Sequence, residues 1–314
     1  MKKATICILL LISVLLCSCS PQHIIVTTSA TVDPVLNPTA TKTATPAPTP
    51  TEPQQTETPL ALLEEQIEEK YAVDILYGND YTPRVLLFSY DPLTDQELIR
   101  ASLVMIDDEL SKYPKDLLTD LRVDENVPTR IILCASIYQG MDGATPCGGG
   151  FSEEDSEFVI LLQVTEENWQ YVNNAPYISY AFNHEIGHMM LYYIERFAKG
   201  FPFDYTTWNS LNPPDFKYDN QIEPEEDTLG MLGSLYYVDE TDPENIYFCD
   251  TYSKSAFPED IATLFGYAMN DTPPEFLSYP RIQSKMAYYF SIVRQVFATD
   301  AWDSPPYWER VLIS

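Results

Sequence analysis

Between Val26 and Pro59 the chain reads almost entirely as Thr, Pro and Ala, with Thr45-Pro46-Ala47-Pro48-Thr49-Pro50 near its centre. Such a stretch has few apolar side chains to bury and favours extended, polyproline-like backbone. It confines any packed core to residues 60–314 and makes residues 20–59 a stalk between a leader and a folded part. Of the 314 residues 45% are hydrophobic, enough for a core in that remainder. One domain of this size is expected, with an N-terminal lobe over about 60–200 and a C-terminal lobe over about 201–314. The chain carries 18 basic and 47 acidic residues; three of each precede residue 60, so the folded part bears the whole net charge of −29. A charge of that sign argues against partners held through phosphate, whether nucleic acid or anionic lipid.

The leader has its own logic. Lys2 and Lys3 precede an apolar run from Ile6 to Leu16, which ends at Leu16-Cys17-Ser18-Cys19. A charged start, a short apolar centre and small residues read as an export signal over residues 1–19, too short to span a bilayer for good. Its last four residues resemble a bacterial lipobox. The resemblance implies that Cys19 becomes the lipid-bearing first residue after cleavage, anchoring a lipoprotein on the extracytoplasmic face of the membrane. An ordinary cleaved signal with Cys19 incidental is the alternative. Cys134, Cys147 and Cys249 would then face surroundings where a disulfide persists, and one pair plus one free thiol is expected.

Along the folded part, strands are expected over Arg84–Ser89, Thr129–Ile137 and Glu157–Val164, where apolar and β-branched residues cluster. Thr94 to Leu110 reads as a helix, with Thr94 as cap and Glu97 three residues on. A long helix is expected from about Pro176 to Lys199, with Asn174 as its cap and Gly200 as its stop. Further helices are expected from near Pro258 and over about Arg281–Phe297. Gly140–Gly150 is turn-rich, and 201–250 is acidic, aromatic and without period. The order implies an α+β fold, a sheet with a helix packed on it, followed by a mostly helical C-terminal lobe.

Inside the long helix stands His184-Glu185-Ile186-Gly187-His188. Four residues are just over one helical turn, so both imidazoles leave one face and can meet a single metal ion. Glu185 adjoins the first histidine, where it can reach a water at the metal. Neutral imidazoles suit Zn²⁺, and three protein ligands leave a fourth position open. The chain holds three histidines, and the third, His23, falls in the stalk. A carboxylate is therefore expected to complete the set. Glu195 lies almost two turns past His188, too far along the axis. Ile194, Thr207 and Trp208 occupy the places where two common zinc-protease spacings would put a third ligand. Downstream, Glu259 and Asp260 open the helix that begins at Pro258, and both are candidates; both are also ordinary acids for a helix N-terminus.

His184, Glu185 and His188, followed by Tyr252, Glu259 and Ala262, resemble the gluzincin metallopeptidases related to anthrax lethal factor and the Pro-Pro endopeptidases. The resemblance rests on these few positions and on the order of elements. It implies a zincin-like fold, one Zn²⁺ ion on His184, His188 and Glu259, Glu185 as general base, and Tyr252 as the phenol that donates to the oxyanion. One position departs: the family often has an acidic residue four after the ligand Glu, where this chain has Thr263. The implied activity is zinc-dependent endopeptidase cleavage of extracellular proteins or peptides, by a monomer tied to the membrane only through its lipid. Glu157–Val164, just before the active helix, reads equally as the edge strand that pairs with extended substrate in zincin-like sites or as an ordinary core strand. Asp215, Asp219, Glu223, Glu225, Glu226 and Asp227 read as a solvated acidic face or as a cleft wall that favours basic substrates. Cys147 reads as structural, with a thiol that masks the metal as the sharper alternative. Two other classes fit the same residues: an inactive zincin-fold binding lipoprotein, and a zinc hydrolase of a non-peptide amide such as one in the cell wall.

Overall fold

A computed structural model describes residues 16–18, 58–78, 84–85, 88–140, 145–154, 156–172, 175–200, 203–218, 242–297, 299, 302 and 305–312. Cys19, His23, most of the stalk, Asn174, and the acidic positions Asp219, Glu223, Glu225, Glu226 and Asp227 lie outside them. The centre of the fold is β5 (Thr129–Gln139), an 11-residue strand long enough to hold four neighbours. β2 (Val73–Leu76) runs parallel to its first half, and β4 (Phe88–Pro92) antiparallel to its second. β8 (Glu157–Gln163) pairs parallel with it, and β6 (Thr145–Pro146) antiparallel near its end. β3 (Arg84–Val85), β7 (Gly149–Glu154) and β1 (Leu16–Ser18) complete a mixed sheet in the order β1-β7-β8-β5-β4-β3. The protein is an α+β fold.

Alternation along the strands divides the core. Ile131, Leu133, Ile160 and Leu162 face the main cluster, while Ile132, Cys134, Val159 and Leu161 face a smaller one on the other side of the sheet. Both faces are covered, which is why β5 and β8 read as unbroken apolar runs. The smaller cluster holds Cys134 and Cys147, and the main one holds Cys249. All three are buried free thiols, so the expected pair is not formed here.

The helices are α1 (Leu60–Tyr71), α2 (Gln96–Leu110), α3 (Leu117–Asp120), α4 (Tyr177–Arg196), α5 (Tyr205–Ser210), α6 (Phe257–Ala268) and α7 (Pro280–Val296). A short hairpin, β9 (Tyr171–Val172) with β10 (Ala175–Pro176), leads into α4. The cap of α2 is Asp95 rather than Thr94: its carboxylate accepts from the backbone N–H groups of Glu97 and Leu98. α4 starts after Pro176 and ends at Arg196, short of Gly200, whose φ of 93° already belongs to the turn beyond. Every residue of α4 from Tyr177 to Leu191 is buried. This central helix packs on β7 and β8 on one side and on α6 on the other.

Of the two readings of Glu157–Val164, the core strand holds and the substrate-pairing edge does not. β8 is flanked by β5 and β7 along its length, so its backbone groups are already paired. β7 lies outside it, and the only strand paired with β7's far edge among the described residues is β1, antiparallel, with Leu16 opposite Phe151 and Ser18 opposite Gly149.

Candidate metal centre

Two helices must come close for a far carboxylate to reach the histidines, and glycine makes that possible. A Cβ on Gly187 would stand 3.1 Å from the Ala262 Cα and 3.2 Å from the Phe265 Cβ. A Cβ on Gly266 of α6 would stand 3.0 Å from the Tyr180 ring of α4. The small residues at 187, 262 and 266 thus let α4 and α6 pack almost backbone to backbone.

At this crossing the His188 Nε2 lies 2.9 Å from the His184 Nε2. The Glu259 Oε2 lies 3.2 Å from the first of these rings' nitrogens, on His184, and 3.3 Å from that of His188. Ligands held tetrahedrally at about 2.0–2.1 Å stand about 3.3 Å apart. The triangle therefore has nearly the edges such an ion requires, and the three buried side chains could hold one metal ion. Burial raises the Glu259 pKa, but the two imidazoles outweigh it and hold the carboxyl at about 2. Burial, reinforced by the neighbouring His184, takes His188 down to about 4. A neutral imidazole and an ionised carboxylate are the forms that bind metal. For His184 burial works downward, but the hydrogen bond and charge of Glu259 prevail and raise its pKa. Glu185 is fully buried beside the cluster, and its charge is felt at His184.

Asp260, the rival ligand, points elsewhere. Its Oδ2 accepts from the Lys285 Nζ at 2.7 Å and from the Tyr218 hydroxyl at 2.7 Å, both partners of the pair being fully buried. Lys285 lies 3.7 Å from the centroid of the Phe248 ring, and Tyr218 accepts from the Trp208 Nε1 at 2.7 Å. Glu195 is bonded by the Tyr205 hydroxyl, away from the centre. Cys147 sits in the smaller core on the opposite face of the sheet from α4, so a thiol mask on the metal does not fit.

Tyr252 does approach. Its ring centroid is 6.2 Å from that of His184, and it is partly exposed while the ligands are buried. The turn that carries it is tied by Asp250, whose carboxylate accepts from the Ser253 N–H at 2.7 Å, while the Ser253 hydroxyl donates to the Asp250 carbonyl at 2.8 Å. Burial pushes Asp250 up to about 6 against the downward pull of these bonds and of His184. Burial also takes nearby Lys254 down to about 8.

Sequence reasoning missed Tyr180, whose hydroxyl lies 3.3 Å from the His184 Nδ1, and Asp250. Tyr180 is four residues before His184, so the same helical spacing that links the histidines would have found it. Among the described residues the His188 Nδ1 has no hydrogen-bond partner. No known family model matches the chain, and no curated protein matches it.

Proposed function

We propose that the chain is a zinc-dependent endopeptidase with a zincin-like fold, exported and held at the cell surface as a lipoprotein through Cys19. The observation that carries this reading is the convergence of the His184, His188 and Glu259 ligand atoms to separations of 2.9–3.3 Å beside a buried Glu185. A set of two imidazoles and one carboxylate suits zinc and leaves it one open position. Bound there, zinc would supply a Lewis acid and lower the pKa of a coordinated water to about 7.

The chain's own residues supply the rest. Glu185 adjoins a ligand and is placed to take a proton from the attacking water, then to hand it to the leaving amine. As the carbonyl carbon becomes tetrahedral its oxygen gains charge, and the Tyr252 O–H donates to it, more strongly than to the ground state. The Asp250–Ser253 turn holds that phenol beside His184. Strand addition, one of the two readings of β8, falls instead to β7, whose outer edge pairs antiparallel with Leu16–Ser18, residues of the leader that cleavage before Cys19 would remove. Among the described residues no helix is long and apolar enough to cross a membrane, which fits an anchor made of lipid.

A second reading has one observation in its favour: His184, Glu185, His188 and Glu259 are all buried, as they would be around a purely structural ion in a binding lipoprotein. The two part at Glu185, which a structural site does not use. In a peptide-library digest with and without chelator, Glu185→Gln should keep its zinc and lose about 10²–10⁴-fold in cleavage. Near-normal cleavage by the variant would remove Glu185 from the mechanism, and no chelator-sensitive cleavage by the parent chain would favour the binder.

A further inference from the structure

Metal-bound histidine ordinarily donates its second ring N–H to an outer partner, which fixes the ring's tautomer and direction. The two histidines here differ in this respect. The His188 Nδ1 has no partner among the described residues, whereas the His184 Nδ1 meets the Tyr180 hydroxyl at 3.3 Å. That hydroxyl in turn lies 3.5 Å from the Thr263 Oγ1, on α6, one turn past Glu259.

The Tyr180 ring is held from several sides. Its centroid is 4.5 Å from that of Tyr267 and 6.0 Å from that of Tyr177, and one ring edge lies against Gly266, where any Cβ would come within 3.0 Å. A clamped ring gives its hydroxyl one position. Packing alone would be served equally by phenylalanine, and a buried hydroxyl costs stability unless it is bonded. The bond it finds is to the atom that decides how the His184 Nε2 is aimed.

We propose that Tyr180, backed by Thr263, is the positioning residue of the metal centre. It accepts from the His184 Nδ1–H, donates its own proton to Thr263, and so locks His184 in the tautomer that leaves Nε2 bare for the ion. The chain runs from α4 to α6, so it also ties the helix that supplies two ligands to the helix that supplies the third. This inference rests on the metal-centre reading above and adds a residue to it.

The test measures zinc affinity of the full chain by competition with a chromophoric chelator, for the parent, Tyr180→Phe, Thr263→Val and the double variant. Tyr180→Phe should weaken zinc binding about 10–100-fold, and the visible spectrum of the cobalt-loaded protein should shift. Thr263→Val should weaken binding severalfold in the parent and add nothing once Tyr180 is replaced, because it acts through that hydroxyl. Metal-free thermal unfolding accompanies each measurement. Should Tyr180→Phe unsettle the metal-free fold, Thr263→Val, which keeps the ring, carries the test: a severalfold loss supports the inference and an unchanged affinity overturns it. A parent that binds zinc and a Tyr180→Phe variant that binds it equally well overturn this inference alone. A parent that takes no zinc overturns the metal-centre reading and this inference with it.

Discussion

The first turn of α6 presents two adjacent carboxylates to two buried clusters of opposite design. Asp260 meets Lys285, a fully buried cation of the chain itself, and the same Oδ2 also accepts from the Tyr218 hydroxyl. Glu259 meets two imidazoles, one of them kept neutral by burial near pKa 4, and no Lys or Arg ion pair with it is seen among the described residues. Burying an ionised carboxylate is costly without a compensating charge. The Asp260 cluster closes its balance internally. The Glu259 cluster instead brings together two imidazoles and a carboxylate at ligand-like separations, with the pKa of His184 raised by Glu259 against burial and His188 kept neutral, so that these three side chains could hold one metal ion where Asp260 holds a lysine.

The comparison can be broken most forcefully at Lys285. Lys285→Met leaves Asp260 buried without its cation, and should destabilise the protein by about 3–5 kcal/mol in denaturant unfolding. Replacing both partners, Lys285→Met with Asp260→Leu, should recover most of that loss. If the single variant unfolds like the parent, the Asp260 cluster is not the closed ion pair described.

A somewhat smaller effect sharpens the comparison through Asp250, which feels His184 on one side and Asp260 on the other. In the unfolded chain this carboxyl titrates near about 3.9, whereas in the metal-free fold it stands at about 6. The folded state then binds more protons between these values, so this contribution is present below about pH 4 and is lost as pH rises through about 6. The loss amounts to about 3 kcal/mol. Metal-free parent and Asp250→Asn proteins, unfolded in denaturant at pH 4 and pH 7, should differ in their pH slopes by about that amount. Equal slopes would place Asp250 in wetter surroundings than the fold implies.

The histidine half of the centre was legible because its geometry is local: four residues on one helix fix a face whatever the rest of the chain does. The spacing of the residues left Glu259 and Asp260 both open, and only the resemblance pointed to Glu259, because the choice depends on Lys285, 25 residues further along and on another helix. Nothing in the spacing of neighbouring acids announces which of them a distant cation will claim. The two readings of Glu157–Val164, edge or core, could not be separated from the sequence for a similar reason. β8 is the more apolar run, but β7, opening with Gly149-Gly150, takes the outer place; a Cβ on Gly150 would come 2.7 Å from the Phe88 ring. Glycines that read as a turn are there to admit an aromatic side chain. Thr94 gave way to Asp95 as a cap by one residue, a choice set by which side chain reaches the Glu97 and Leu98 N–H groups. Tyr180 stayed hidden among 22 tyrosines, although its spacing from His184 was in plain view.

The central claim is that two imidazoles of α4 and the first carboxylate of α6 form one metal centre, and zinc titration with a stability readout tests it most directly. With free zinc at a hundredfold its Kd, the parent chain should bind one ion and gain about 2.7 kcal/mol of stability. His188→Ala and Glu259→Ala, at the same zinc concentration, should bind it weakly and gain little. A parent chain that gains nothing from zinc, or variants that gain as much as the parent, would contradict the account.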